Sequence, residues 1–280
     1  MLNILYKVGE ILAVILPWNI AYKMAVFLAK LQFSISKKDR DAVMNNLRVI
    51  LPNEKEDVIR KKAIEVFVNF GLYLIEFFRF SQIDKAYIEK HFSIKGRDNL
   101  DNALKKGKGV ILLAAHLGNW ELAGMALSIL GYKLMVVALD HKDSEINNFF
   151  KRRRQSKGIE VISLGSSIKQ CYKGLKDNKV LAILGDRDFS NSGYPLDFFG
   201  RKKSIPRGPA VLSLRTGAPI LPTIVTRQSL DRCVMECLPP IEISSEMNEL
   251  EVMKKYTKII EQEIAEDPSQ WLMFREFWKE

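Results

Sequence analysis

An α/β fold with a mostly parallel central sheet flanked by helices is predicted by two textures in this 280-residue chain. From Phe92 onward, short apolar runs ("GVILLAA", "KLMVVAL", "IEVISL", "KVLAILG") alternate with helical patterns. Such alternation is the signature of parallel strands joined by crossover helices. Before Phe92 the pattern is helical throughout, so the sheet region carries a helical extension at its front. The expected layout is a membrane-associating helix over 1–33, a helical extension over 34–91 and an α/β domain over 92–280, with 34–280 forming one compact unit.

The first 33 residues are largely apolar but carry Lys7, Glu10, Lys23 and Lys30, with Pro17 in the middle. Their longest uncharged run, Ile11 to Tyr22, falls short of the ~20 residues that span a bilayer. On a helical wheel Asn3, Lys7 and Glu10 share one stripe, and Asn19, Lys23 and Lys30 another, leaving a broad apolar face suited to lying in a membrane surface. A core helix or a tilted span fits the same residues, and no small-x-small cleavage site follows them. Next, "SKKDRDAVMNNLRVILPNEKEDVIRKKAIEVFVNFGLYLIEFFRF" reads as two helices broken at Leu51–Pro52, the second opening with Asn53 and Glu56 at capping-box spacing. Its aromatic end is the kind of stretch that fills a core, or lines an acyl channel.

Lysine and arginine outnumber aspartate and glutamate by 43 to 33, giving a net charge of +10 and a preference for anionic partners. Cys171, Cys233 and Cys237 are odd in number and lack CxxC spacing, which argues against a disulfide framework or a zinc site and for a reducing location. "KRRR" at 151–154 ends a helical pattern, where basic side chains suit the dipole and read as a solvated end. The apolar start of the chain argues against a nucleic-acid binder.

"GVILLAAH" reads as a buried strand delivering His116 at its carboxyl end, where open α/β sheets hold their sites. Gly118 permits a tight turn, Asn119 is an N-cap for a helix from Trp120 to Leu130, and Gly131 closes it. Glu121 then lies in the first helical turn. On one continuous helix the five-residue spacing would set His116 and Glu121 roughly 140° apart; the strand-turn-helix break lets them converge. A carboxylate on one imidazole nitrogen leaves the other free to take a proton from an alcohol. Spacing alone also fits simple helix punctuation, since the macrodipole favours a glutamate there.

The run "ILGDRDFSNSGYPLDFFGRKKSIPRGPA" is expected to be a long loop at the same sheet edge. Asp186, Arg187 and Asp188 are candidates to position an acceptor's sugar hydroxyls and phosphate, or Arg187 pairs only with its neighbours. Two carboxylates at i and i+2 do not make a metal site, and no cofactor or metal is expected. Pro206 to Pro209 introduce a helix, with Arg207 and Gly208 suited to a phosphate. Arg201, Lys202 and Lys203 form a candidate basic rim for anionic headgroups or a carrier protein. His91 reads as structural, and His141, after "LMVVAL", as a possible substrate contact.

"AAHLGNWE" resembles the first motif of the bacterial late acyltransferases of lipid A biosynthesis, within the broader glycerolipid acyltransferase class. "LRVILP", "FVNFGLYLIEFFRF", "LGDRDF", "FFGRKKSIPRGPAVLSLRTGAPILP" and "PSQWLMFREFWK" extend the resemblance nearly end to end. The closing "FREFWKE" is less arginine-rich than the family's usual ending. The resemblance implies a glycerol-3-phosphate acyltransferase-like fold on the cytoplasmic side of the inner membrane. It further implies acyl transfer from acyl carrier protein or acyl-CoA to a hydroxyl of an anionic, lipid A precursor-type glycolipid, with His116 as general base and Glu121 orienting it. Gly118, Asn119 or the helix start would donate to the oxyanion, and Asn119 would also touch substrate. Another acceptor, such as a phosphatidylinositol mannoside, would use the same motifs, and a non-catalytic lipid- or carrier-binding module is the alternative from another class.

Overall fold

The computed structural model describes residues 2–139, 143–164, 167–189 and 192–279. Four helices come first: α1 (Leu2–Ile15), α2 (Trp18–Ile35), α3 (Lys37–Ile50) and α4 (Glu56–Phe78). Then follow α5 (Lys85–His91), β1 (Phe92–Lys95), α6 (Arg97–Leu104), β2 (Val110–Ala114), α7 (Trp120–Ile129), β3 (Leu134–Ala138) and α8 (Ser144–Gln155). The chain continues through β4 (Glu160–Ser163), α9 (Ser167–Lys176), β5 (Val180–Leu184), β6 (Tyr194–Phe198), β7 (Arg201–Ile205), α10 (Gly208–Thr216), β8 (Ile220–Ser229), β9 (Arg232–Cys237) and α11 (Glu249–Glu266).

Seven strands form the main sheet in the order β1-β9-β8-β2-β5-β3-β4. All neighbours pair in parallel except β8 and β9, which the short turn at Leu230–Asp231 folds back on each other. The mostly parallel sheet agrees with the alternating apolar runs. One face carries a core that includes Leu112, Val225, Leu122, Leu127 and Phe77, under α7, α4 and α2. The other carries Ile111, Leu113, Leu181, Leu212, Tyr256 and Ile260, under α9, α10 and α11.

Four expectations are corrected. The single N-terminal helix is two, because Pro17 has no N–H to donate to a helix interior and instead precedes the first turn of α2. Neither helix is a separate appendage, since Ala13, Ala21, Tyr22 and Ala25 belong to the same core as the sheet. Small residues allow this approach: a Cβ at Gly71 would lie 3.1 Å from the Ala25 carbonyl oxygen. The capping box at Asn53 does not form; α4 starts at Glu56 after Lys55, with no side-chain cap, and Glu56 and Asp57 sit instead where the dipole favours acids. The expected long loop contains the antiparallel hairpin β6–β7, whose two-residue turn places Phe199 and Gly200 at φ 52 and 69. That is the conformation that matches strand twist in tight hairpins, and Gly200 adopts it without strain.

The outer face of α2 is apolar and uncovered, with Phe27 67% and Ile35 73% exposed beside Lys23 and Lys30. Ile11 and Ile15 of α1 are exposed as well. No described helix is long and apolar enough to cross a membrane.

Candidate active site

The site begins in strand register. β2 and β5 are parallel neighbours paired from Val110↔Val180 to Ala114↔Leu184. Carried two residues further, the same alignment sets His116 opposite Asp186. The ladder closes there with side chains: the His116 amide donates to Asp186 Oδ2 at 3.1 Å, and His116 Nδ1 lies 2.8 Å from Asp186 Oδ1. Trp271 Nε1 donates to Asp186 Oδ2 at 2.9 Å. Asp186 is wholly buried. Burial by itself pushes its carboxyl up, but the facing imidazole and these N–H donors hold it below the ordinary aspartate value. An ionised carboxylate only accepts, so Nδ1 carries a proton, and in the neutral tautomer this leaves the lone pair on Nε2. Nε2 has no hydrogen-bond partner among the described residues. The imidazole is held between Trp120, with ring centroids 5.1 Å apart, and Phe189, at 6.4 Å.

His116 lines a cavity of about 770 Å³ that reaches both faces of the sheet edge. Leu112, Ala123, Leu127, Val136, Ile159 and Val225 give it an apolar wall on the α7 side, and Phe70, Tyr73 and Leu74 of the aromatic stretch join them. Phe77 and Phe80, from the same stretch, are core. Arg154, Arg187, Arg207, Arg215 and Arg275 bring positive charge to the lining.

Glu121 does not hold the imidazole. Its two oxygens accept from Arg154 Nη2 and Nε at 2.5 and 3.0 Å, in a bidentate pair whose side chains are 8% and 15% exposed. Burial pulls the Arg154 guanidinium down, but the Glu121 charge outweighs it and the net direction is up. Arg153, the residue before, pairs with Glu10 and donates to the Phe78 carbonyl at 2.8 Å. The second half of "KRRR" thus points inward and only Lys151 and Arg152 are exposed, which corrects the reading of the run as a solvated end.

The oxyanion candidates also change. Gly118, at φ 59, donates its amide to the Gln270 carbonyl at 2.9 Å. A Cβ there would stand 2.1 Å from the Val225 carbonyl oxygen, so the turn needs glycine. Asn119 does cap α7, accepting from the Leu122 amide at 2.9 Å, while its Nδ2 donates to Glu76 at 2.5 Å. It is 1% exposed, and neither residue lines the cavity, which corrects their assignment to the oxyanion and the substrate.

Of the three residues at 186–188, Asp186 serves His116 and Arg187 and Asp188 line the cavity. The Arg187 guanidinium stacks 4.4 Å from the Phe189 ring centroid, and Asp188 Oδ2 accepts from Gly193 N and Ser204 Oγ, tying the loop to the hairpin. Arg207 and Gly208 line the cavity at the start of α10, where Arg207 is paired with Glu249 at 2.5 Å. Lys202 pairs with Asp197, and Lys203 donates to the Phe277 carbonyl at 2.5 Å. His91 Nδ1 meets the Asp231 carbonyl oxygen at 3.0 Å and does not line the cavity, and His141 lies outside the described residues. Residues not singled out from sequence are Arg154, Trp271 and Glu76. Their signals were faint: Arg154 continues the buried Ile146–Phe150 face by one helical turn, and Trp271 sits in an irregular C-terminal segment.

The chain is similar to several named acyltransferases. It is 34% identical over 161 residues to a phosphatidylinositol mannoside acyltransferase of Mycobacterium tuberculosis, a match covering 55% of this chain and 51%, about half, of that relative's length. A phosphatidylinositol mannoside acyltransferase of Mycolicibacterium smegmatis is 26% identical over 262 residues, 92% of this chain and 86% of the relative. A lipid A biosynthesis lauroyltransferase of Escherichia coli is 21% identical over 272 residues, 96% and 88% of the two chains. With the family pattern of the bacterial lipid A biosynthesis acyltransferases matched across residues 1–280, the chain belongs to that family.

Proposed function

We propose that this chain transfers a fatty acyl group from a thioester, carried by acyl carrier protein or coenzyme A, to a hydroxyl of an anionic membrane glycolipid. The observation that carries the reading is the His116–Asp186 bond at the wall of a large apolar cavity. His116 Nε2 takes the proton of the acceptor hydroxyl as its oxygen attacks the thioester carbonyl. The tetrahedral intermediate then collapses, the C–S bond breaks, and the imidazolium returns the proton to the leaving thiolate. Asp186 holds the ring and stabilises its charged form. Glu121 keeps Arg154 at the cavity wall, where positive charge favours the developing oxyanion. The apolar wall receives the acyl chain at ~0.8 kcal/mol per buried methylene. Arg187, Asp188, Arg207 and Gly208 meet the acceptor's sugar and phosphate, and the exposed apolar residues of α1 and α2, flanked by lysines, lie on the cytoplasmic face of the inner membrane.

A lipid A precursor is the acceptor that the family suggests. A phosphatidylinositol mannoside-type acceptor is the second reading, favoured by the higher identity to the mycobacterial relatives. Full-length protein in mixed micelles, given palmitoyl-acyl carrier protein and each acceptor, tests both by mass spectrometry of the product. Wild type should acylate one acceptor, and His116→Ala should be slower by about 10²- to 10⁴-fold. Equal transfer by the two would overturn the mechanism, and transfer by neither would favour the binding module.

A further inference from the structure

Behind the turn that carries His116 stands a carboxylate that the transfer chemistry leaves unused. Glu76, near the end of α4, is wholly buried and does not line the cavity. It accepts from Tyr22 Oη at 3.1 Å, from Arg227 Nη1 and Nη2 at 2.9 and 2.5 Å, and from Asn119 Nδ2 at 2.5 Å. Three elements distant in sequence, α2, α4 and β8, thus converge on the cap of α7.

The Asn119 amide has two different ends, and its neighbours fix which is which. Glu76 only accepts, so Nδ2 must face it, which turns Oδ1 onto the Leu122 amide and seats the first turn of α7. From the other side, the Arg227 amide donates to Gln270 Oε1 at 2.5 Å, and the Gln270 carbonyl receives the Gly118 amide at 2.9 Å. Residues 116 to 119 are therefore clamped at both ends of the turn. A buried ion pair is often no more stabilising than apolar residues of the same volume. Apolar residues in this space would supply cohesion but could not orient an amide.

We propose that Glu76 is a positioning residue, acting through Asn119 on the 116–119 turn, and that Tyr22 extends the same constraint to the uncovered helix α2. In the acyl-transfer reading, on which its catalytic consequence rests, loosening this clamp lets the imidazole wander and lowers kcat without changing how either substrate binds.

Two measurements on the full chain in detergent micelles test it, using Glu76→Gln, Asn119→Ala and the double variant. Amide hydrogen exchange needs no substrate: Glu76→Gln should speed exchange at Gly118 and Leu122 by about tenfold while Leu181 and Ala182 in β5 stay within about twofold. Unchanged exchange at the two turn amides, or an equal rise across the sheet, would overturn the proposal. Transfer kinetics with palmitoyl-acyl carrier protein and the better acceptor form the second arm. Glu76→Gln should lower kcat about tenfold with KM within about twofold, and the double variant should be no slower than Asn119→Ala alone. Losses that multiply, or a loss confined to KM, would overturn it. If Glu76→Gln does not fold, Tyr22→Phe removes the hydrogen bonds of this hydroxyl to Glu76 and to Tyr87 Oη but no charge, and should show the same exchange pattern at about two- to threefold. No transfer by wild type would sink the acyl-transfer reading and leave the exchange arm to decide the clamp.

Discussion

Two carboxylates compete for the role of partner to His116, and the regions that supply them are built on different principles. Glu121 is five residues away along the chain, at the start of α7, and its oxygens are taken by Arg154 of α8. Asp186 is 70 residues away, at the end of β5, and holds Nδ1. A helix start sends successive side chains around an axis, so nearness in sequence gives no fixed meeting point. Two parallel strands in register carry residues outward in matched pairs, and whatever follows the last pair arrives together. At the carboxyl edge of a parallel sheet, strand neighbours outrank chain neighbours.

The comparison breaks most directly at Asp186. Asp186→Asn preserves volume but presents an amide that no longer requires the proton on Nδ1, and kcat should fall by about 10²- to 10⁴-fold at saturating thioester. A smaller loss than that of Glu121→Gln, measured side by side, would reverse the roles of the two residues. Glu121→Gln is expected to act chiefly on stability. It leaves Arg154 without its charge partner in a mostly buried place, and should lower unfolding free energy by about 3 kcal/mol in a urea titration. Per folded molecule kcat should drop less than about tenfold. A loss of activity without loss of stability would return the orienting role to Glu121.

The smallest effect is in acid. Against the opposing push of burial, His116 and the N–H donors hold Asp186 below its ordinary value. Its contribution to stability is complete above the unfolded-state value of about 3.9 and disappears as pH falls through the lowered folded value. Unfolding free energies of wild type and Asp186→Asn should run parallel between about pH 5 and 8 and converge below about pH 4. Convergence that began near neutrality would mean the carboxyl is not held low.

Sequence was informative where one local signal decided the outcome. β2 and β5 read as continuous apolar runs because both faces are covered, and Asn119 read as a cap because a polar residue after Gly118 opens an apolar helix. The partnership of His116 was hidden because it depends on β5 entering between β2 and β3, an order no local pattern encodes. The hairpin was masked by Pro195 and by the charges of Arg201 to Lys203, which outweigh its buried Leu196, Phe198 and Ile205. Arg153 and Arg154 looked solvated by composition, while the helical period that buries Ile146 and Phe150 carries them inward. Of the candidate site, the placing of His116 at the strand end and the glycine turn were legible, and the residues that hold them were not.

The 70-residue offset between His116 and Asp186 is a property of one strand pairing, and it makes the intervening chain a cassette. Gly158, exposed and at φ 78 in the turn between α8 and β4, lies within it and outside both members of the pair. Cut there, the chain becomes two fragments, one bearing His116 and the other Asp186, with β2 and β5 as mutual addresses. A site divided in this way would be silent in halves and speak only on reunion, a logic gate already written in the order of the strands.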